Sequence, residues 1–380
     1  MPTKNSTTIQ SSSSPSSPRP PLWKVWFVAA RPHTLTASIS PNIVAYNAGI
    51  AFIDGVVDTD TDTGGNANAN ATSFFWLILE WTAFCMLMQL GTNLHNDYAD
   101  FVKGADNDKR VGQARATQKG WLSPFQTAMA SGLTLLVGLF LGIWFVLRIV
   151  MATATTNTYD DDDRSEQKQR IAAMVFIVVT SIFNAFAYTG GPWPLGYIGL
   201  PHFSLGYSGL GDIFVFLYFG LVATMVPPFL YIACNNAPDT KNNSDELHNL
   251  LWTFAPYAIQ VAVLATNIIV VNNLRDRHTD VLANKRTLAV RFGATFCRVE
   301  YGINVFVAYG LVLVLWNNNN NFSSPSVYSL LPLLSFPLAW KEWRALYKKN
   351  GSALNEHVGG AAKVQFVFCI LLAISIRISS

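Results

Sequence analysis

The sequence predicts an all-α, polytopic membrane protein of about nine transmembrane helices, and three observations carry that prediction. Hydrophobic residues make up 51% of the chain and charged residues 13%, against roughly 25% charged in an average soluble domain. Nine apolar runs begin near Thr34, Ser73, Pro124, Ile171, Ile213, Leu251, Val299, Val327 and Ala361, each long enough, or nearly so, to cross a hydrocarbon core. When these runs are threaded alternately across a bilayer, the segments between them divide the 26 Lys and Arg twenty to six. The richer side is the cytoplasm-like face.

Residues 1–21 are rich in Ser, Pro and Thr and contain only Lys4 and Arg19 as charges. They lack the apolar stretch of a secretory signal and read as a disordered tail, leaving 22–380 as one transmembrane domain. Leu22 to Ala30 mixes Trp, Lys and Phe as an interfacial helix does, and Arg31, Pro32 and His33 lead into the first span. Asp54 to Thr72, Asp160 to Asp163 and Asn317 to Asn321 are low-complexity tracts, read as outer loops that tolerate insertion. With the tail they point to the plastid membrane of a eukaryotic alga, otherwise to an inner or plasma membrane. Tyr188 to Asp212 is dense in Gly, Pro and aromatics without one Lys or Arg, and reads as a structured turn or an aromatic lid over an apolar substrate. Pro227, Pro228 and Pro256 imply kinked helices with cavities between them. Cys85, Cys234, Cys297 and Cys369 are scattered and form neither a zinc pattern nor a disulfide framework.

The chemistry concentrates in two stretches on the positive side. In Asn93 to Ser123, Asn93, Asp97 and Asp100 share a helical face with Asn96 beside them, and Lys103, Lys109 and Arg110 follow. In Asn272 to Gly293, Asn272, Asp276 and Asp280 repeat the face, and Lys285 and Arg286 follow. Both clusters stand at the C-terminal, dipole-negative end of a long helix, where carboxylates repel the dipole and one another. Hard divalent cations are the natural compensation. Mg²⁺ prefers a few carboxylates together with phosphate oxygens, so two opposed acidic faces fit a clamped diphosphate. A solvated acidic helix end would explain either cluster alone; two matching copies on one side favour the clamp. A diphosphate held at the mouth of an apolar bundle implies a lipid-like group behind it. An allylic cation formed there could be stabilised by aromatic faces such as Tyr98, Tyr188 and Trp193.

On these motifs the chain resembles the UbiA superfamily of intramembrane aromatic prenyltransferases, and its MenA-like branch. The resemblance implies nine helices around a central cavity and two Asp-rich motifs that bind Mg²⁺ and prenyl diphosphate. Asn93, Asn96, Asp97 and Asp100 match the first motif, and Asp276 and Asp280 the second, with Asn272 and Asn273 beside it. The last Asp of the common first motif would fall at Gly104; here a GxD spacing displaces it to Asp106. Further MenA-like phrases are RPHTLTASISPN from Arg31, YTGGPWPLGY from Tyr188, GLGD from Gly209, and NNLRD with KRTLAVRFG from Asn272. The implied reaction moves a polyprenyl or phytyl group to 1,4-dihydroxy-2-naphthoate with loss of carbon dioxide. The implied metal ligands are Asp97, Asp100, Asp106, Asp276 and Asp280. Lys103, Lys109, Arg110, Lys285 and Arg286 would hold the diphosphate, and Arg31 is a candidate for the acceptor carboxylate. The partners implied are the two substrates and the bilayer, with no nucleic acid. Alternatives are a sister enzyme acting on 4-hydroxybenzoate or homogentisate and a cation transporter; carboxylates at helix ends on one face disfavour the transporter.

Overall fold

The structure, a computed structural model, describes residues 19–57, 66–106, 110–154, 161–235, 243–319 and 326–379. Every regular element among them is helical. In order these are α1 (Leu22–Ala30), α2 (Thr36–Val57), α3 (Asn66–Val102), α4 (Pro124–Ala154), α5 (Asp161–Ala187), α6 (Gly211–Phe216), α7 (Ala223–Asn235), α8 (Asn243–Leu282), α9 (Leu288–Asn319), α10 (Phe336–Lys348) and α11 (Asn355–Ser379). A six-residue π-helical stretch, Leu217–Val222, joins α6 to α7. All nine apolar runs fall on helical segments. Among the described residues, seven helices are long and apolar enough to cross a membrane, so the count of nine is not confirmed.

The helices extend further into the low-complexity tracts than the loop reading allowed. The α3 helix starts at Asn66 inside the NANANA tract, where alternate alanines favour helix. The α5 helix starts at Asp161, with carboxylates at the dipole-positive end, and α9 runs on to Asn319. Residues 1–18 of the disordered-tail reading, the centre of the first tract (58–65), Asp160, Asn320 and Asn321 of the other two, and Lys109 lie outside the described residues, as does the side chain of His33.

Two cores meet across α2. Val44 and Ala48 pack with α8, α9 and α11 through Val261, Tyr301 and Phe368. Nearby positions on the other side of α2, Ala45 and Ile50, pack with α3, α4, α5 and α7 through Trp81, Phe145, Met174 and Leu230. The centre belongs to α8, with 67% of its most apolar window buried against 28% for α4. On α4, Leu133, Leu136, Phe140, Trp144, Leu147 and Met151 are exposed. Their spacing of three to four residues makes one continuous apolar stripe, as a lipid-facing helix requires. The predicted interfacial helix is α1: it buries Val25 and Ala29 against Leu94 and Leu122 and exposes Leu22, Trp23 and Phe27.

Candidate active site

The helices α3 and α8 end in the same way. Ala105 N–H bonds to Asp100 O (2.8 Å) and Gly104 N–H to Phe101 O (3.0 Å), with Gly104 at φ 74°. Lys285 N–H bonds to Asp280 O (2.9 Å) and Asn284 N–H to Val281 O (3.2 Å), with Asn284 at φ 56°. Both are Schellman caps, which need a left-handed residue and so favour Gly or Asn there. The cap explains why Gly104 stands where the common motif has its last Asp. It turns the chain back so that Asp106 sits beneath the end of α3, its N–H 3.2 Å from Asp100 O.

The shared cap fixes a register between the two motifs. Thr92, Asn93, Asn96 and Asp100 line one wall of a cavity of about 490 Å³, and Asn272, Asn273, Asp276 and Asp280 line the other at the matching positions. The sequence reading paired Asp97 with Asp276; the caps pair Asn96 with it. Asp97 lies one step round the helix and outside the lining. It is 1% exposed, its Oδ2 accepts from Thr117 N–H at 3.4 Å, and its Oδ1 has no hydrogen-bond partner among the described residues.

The carboxylates that face the cavity, and Asp106 buried outside its lining, are met by cations. Asp100 accepts from Arg115 (3.0 Å) and from the Tyr207 hydroxyl (2.8 Å), and Lys285 Nζ stands 3.2 Å away. Asp106 pairs with Arg110 and lies 3.1 Å from Arg115 Nε. Asp276 receives both arms of its neighbour Arg275 (2.8 and 2.6 Å), which also donates to Asn272 Oδ1 at 2.7 Å. Asp280 is 4.0 Å from Lys285. Buried charge persists only when paired in this manner. Burial and the nearby Asp100 push the Asp106 carboxyl up to about 7 against the pull of Arg110 and Lys285. Burial alone would depress Arg110 and Lys285, but the surrounding carboxylates hold both above their ordinary values.

Other expected site residues divide. Arg31 and Tyr188 line the cavity, and one guanidinium nitrogen of Arg31 is buried without a hydrogen-bond partner among the described residues. Lys103 does not line it. Its Nζ donates to Thr189 O at 2.7 Å and sits 3.5 Å above the Tyr207 ring, and burial pulls its pKa down to about 8. Arg286 is also outside the lining and bonds through its backbone N–H to Tyr207 O (2.8 Å). Tyr98 and Trp193 are not cavity residues either: they pack with His95 and Phe186 in an aromatic cluster behind α3. Asn93 lines the cavity, but its amide holds α1 in place, donating to Ala30 O (3.0 Å) and Thr34 Oγ1 (2.9 Å) while accepting from Gln89 (3.1 Å). Asn96 accepts from the Thr189 hydroxyl, and Asn273 reaches Asp212 at 3.4 Å.

Arg115, Arg275, Tyr207 and Thr189 complete the site and were not singled out in the sequence. Within the loop 188–212, LGYSGL from Leu205 echoes LGYIGL from Leu195; Tyr207 of the second copy bonds Asp100, whereas Tyr197 of the first is 84% exposed. The loop is closed on the end of α5 by Gly206 N–H to Tyr188 O (2.8 Å). It needs glycine at Gly190, where φ is 68° and a Cβ would come within 1.9 Å of Phe203 O.

The donor set is hard: carboxylate and amide oxygens, with neither His nor Cys in the lining. That chemistry fits Mg²⁺ and excludes a soft-metal cage. Among the described residues no group of three or more His, Cys, Asp or Glu gathers to hold a metal by itself. Below the polar rim the lining turns apolar with Val215, Phe219, Ala265, Ile268 and Ile269.

Residues 167–366 match the UbiA prenyltransferase family. The chain is 27% identical over 290 residues to the 1,4-dihydroxy-2-naphthoate octaprenyltransferase of Mycobacterium tuberculosis, covering 76% of this chain and 77% of that protein. The Escherichia coli protein of the same name is 28% identical, over 76% of this chain and 81% of its own. The UbiA prenyltransferase domain-containing protein 1 of Mus musculus is 26% identical, over 92% and 84%. A structure concerned with digeranylgeranylglyceryl phosphate synthase aligns at 15% identity and a TM-score of 0.43, over 94% of this chain and 97% of that one, too loose a likeness to carry an argument. The family match spans more than half of the sequence and includes the second acidic motif: the chain belongs to the UbiA prenyltransferase family.

Proposed function

We propose that this protein transfers a polyprenyl or phytyl group from its diphosphate to 1,4-dihydroxy-2-naphthoate, with loss of carbon dioxide. The observation that carries the reading is the cavity itself: two capped helix ends with oxygen donors in matching register, ringed by Arg110, Arg115, Arg275 and Lys285 and opening below into an apolar chamber. Such a chamber takes a polar diphosphate at the rim and an isoprenoid chain beneath it. The acceptor is suggested by the names of the bacterial relatives and by the MenA-like phrases of the sequence.

Asp100, Asp276 and Asp280 would hold Mg²⁺, with Asp97 and Asp106 behind them. When bound, the metal would neutralise the departing diphosphate as a Lewis acid. The cations that cap these carboxylates, Arg110, Arg115 and Lys285, are placed to turn toward phosphate oxygens instead. Arg31, with its unpartnered nitrogen, is the candidate fork for the acceptor carboxylate. The setting is an integral membrane; a plastid address rests on the tail and low-complexity tracts alone.

Purified protein in liposomes, offered a panel of prenyl diphosphates with 1,4-dihydroxy-2-naphthoate, 4-hydroxybenzoate and homogentisate, tests the reading. Carboxyl-labelled naphthoate should release labelled carbon dioxide in step with prenyl transfer, and a chelator should abolish turnover until Mg²⁺ is restored. Product that retains the label, or preference for 4-hydroxybenzoate, overturns the acceptor; full turnover in excess chelator overturns the metal.

A further inference from the structure

Across the cavity from α3, the first turn of α11 presents Asn355, Glu356, Val358 and Gly359 to the lining. His357 points the other way, into the contact with α10, and is 6% exposed. Its Nδ1 lies 2.5 Å from Oε2 of Glu342, itself 6% exposed. Its Nε2 lies 3.2 Å from Oε1 of Glu356, off the line of a hydrogen bond, and has no such partner among the described residues. Gly360 makes room for the Glu342 carboxylate: a Cβ there would stand 2.4 Å from Oε2. The other polar groups around the cluster are the Tyr301 hydroxyl, also without a partner among the described residues, which feels the charge of Glu342, and Lys349 and Lys341, which face Glu356.

A carboxylate on one imidazole nitrogen fixes the ring and its tautomer, leaving the other nitrogen to take or give a proton. Here that other nitrogen faces a carboxylate on the cavity wall. His357 and Glu342 are ionisable side chains buried between helices, which is costly and marks function more often than packing; Glu356 is 69% exposed and pairs with Lys349. None of these three serves the diphosphate rim.

We propose that Glu356, His357 and Glu342 form a proton relay that takes the hydroxyl proton of the aromatic acceptor during attack and returns it afterwards. The inference rests on the aromatic-acceptor reading above. As the acceptor oxygen gives up its proton to the relay, the ring carbon forms its bond to the prenyl carbon, and diphosphate departs with the electron pair of the breaking C–O bond. The C–CO₂ bond then breaks, its electron pair restores the ring, carbon dioxide leaves, and the oxygen recovers its proton from the relay. The proton is lent, not consumed, so a buried pair, His357 and Glu342, behind one exposed carboxylate suffices.

The test uses the full chain in liposomes, with single-turnover transfer from geranylgeranyl diphosphate to 1,4-dihydroxy-2-naphthoate followed across neutral pH for wild type, E356Q, H357Q and E342Q. General acid–base residues contribute about 10²- to 10⁴-fold. The H357Q and E356Q variants should each lose at least about tenfold in kcat and flatten the pH profile, with the KM for prenyl diphosphate unchanged. Added imidazole should restore part of the H357Q rate. E356Q leaves the buried His357–Glu342 contact between α10 and α11 intact but removes the Glu356–Lys349 pair, so thermal unfolding of each variant is measured beside its rate. Wild-type rate and pH profile in both E356Q and H357Q overturn the relay. So does a loss confined to H357Q and E342Q that comes with lowered thermal stability and raised diphosphate KM, because that marks a structural pin. Wild-type protein that prenylates no aromatic acceptor overturns the acceptor reading and the relay with it.

Discussion

At the scale of single residues, the register set by the two helix caps separates carboxylates that look alike. Asp100 and Asp276 face the cavity, and Asp97 lies behind it. Replacing Asp100 or Asp276 by Asn should lower kcat/KM by about 10²-fold or more, on the scale of losing one charge-stabilising group. Asp97→Asn should cost less than either. Steady-state kinetics on the three variants decides it, and an Asp97→Asn defect as deep as Asp276→Asn would move Asp97 into the first rank. The sequence made Asn93, Asp97 and Asp100 one face because steps of three and four both fit a helix. Only the end of α3 shows which step counts. Arg115 and Tyr207 were illegible for a different reason: they reach Asp100 from loops, Arg115 from the one that follows α3 and Tyr207 from the one between α5 and α6, and no periodicity links a loop side chain to a helix end.

At the scale of elements, the acidic stretches were readable as helix ends because apolar runs lead into them unbroken. Gly104 is the point where local chemistry and function meet. Its Cβ position is open, with nothing within 4 Å, so Gly104→Ala tests the backbone alone. The left-handed conformation costs a non-glycine residue roughly 1–2 kcal/mol. The variant should unfold at lower temperature, and should lose activity beyond that because Asp106 swings away from Arg110 and Arg115. Asn284→Gly should be neutral or slightly stabilising at the equivalent cap. Thermal unfolding in detergent with parallel assays checks both. The aromatic trio of the sequence reading divides for a reason visible only in three dimensions: Tyr188 ends α5 at the cavity, while Trp193 leaves with the loop to stack near His95.

At the scale of the whole molecule, the charge asymmetry and the seven apolar spans agree on a membrane protein but leave the number of passes to experiment. From Asn284 the chain runs through α9, then the Val327–Lys348 stretch, then α11. If that stretch crosses the bilayer, Ser379 lies opposite Asn284; if it lies in the interface, the two share a side. The nine-pass path predicts opposite sides, and impermeant labelling of single cysteines at these two positions, in a cysteine-free background, reads the answer. The α10 helix, with Lys341, Arg344 and Lys348 on it, is the part of the path that the sequence alone could not place.

The π-helical stretch Leu217–Val222 bears on the history of the fold as well as its shape. A wide turn of this kind carries one more residue than the α-helix around it, which is what a single-codon insertion leaves behind when neither flank can afford to rotate. Here both flanks are committed: Val215 and, within the wide turn, Phe219 face the cavity, and Val226 and Leu230 beyond it are locked into the second core. Gly220 seats the turn against Ala262 so closely that a Cβ would fall 2.0 Å from that residue's own. Deleting one residue from the turn would force one flank round by about 100° relative to the other, so this span, Gly220 apart, should tolerate substitution far better than any change in its length.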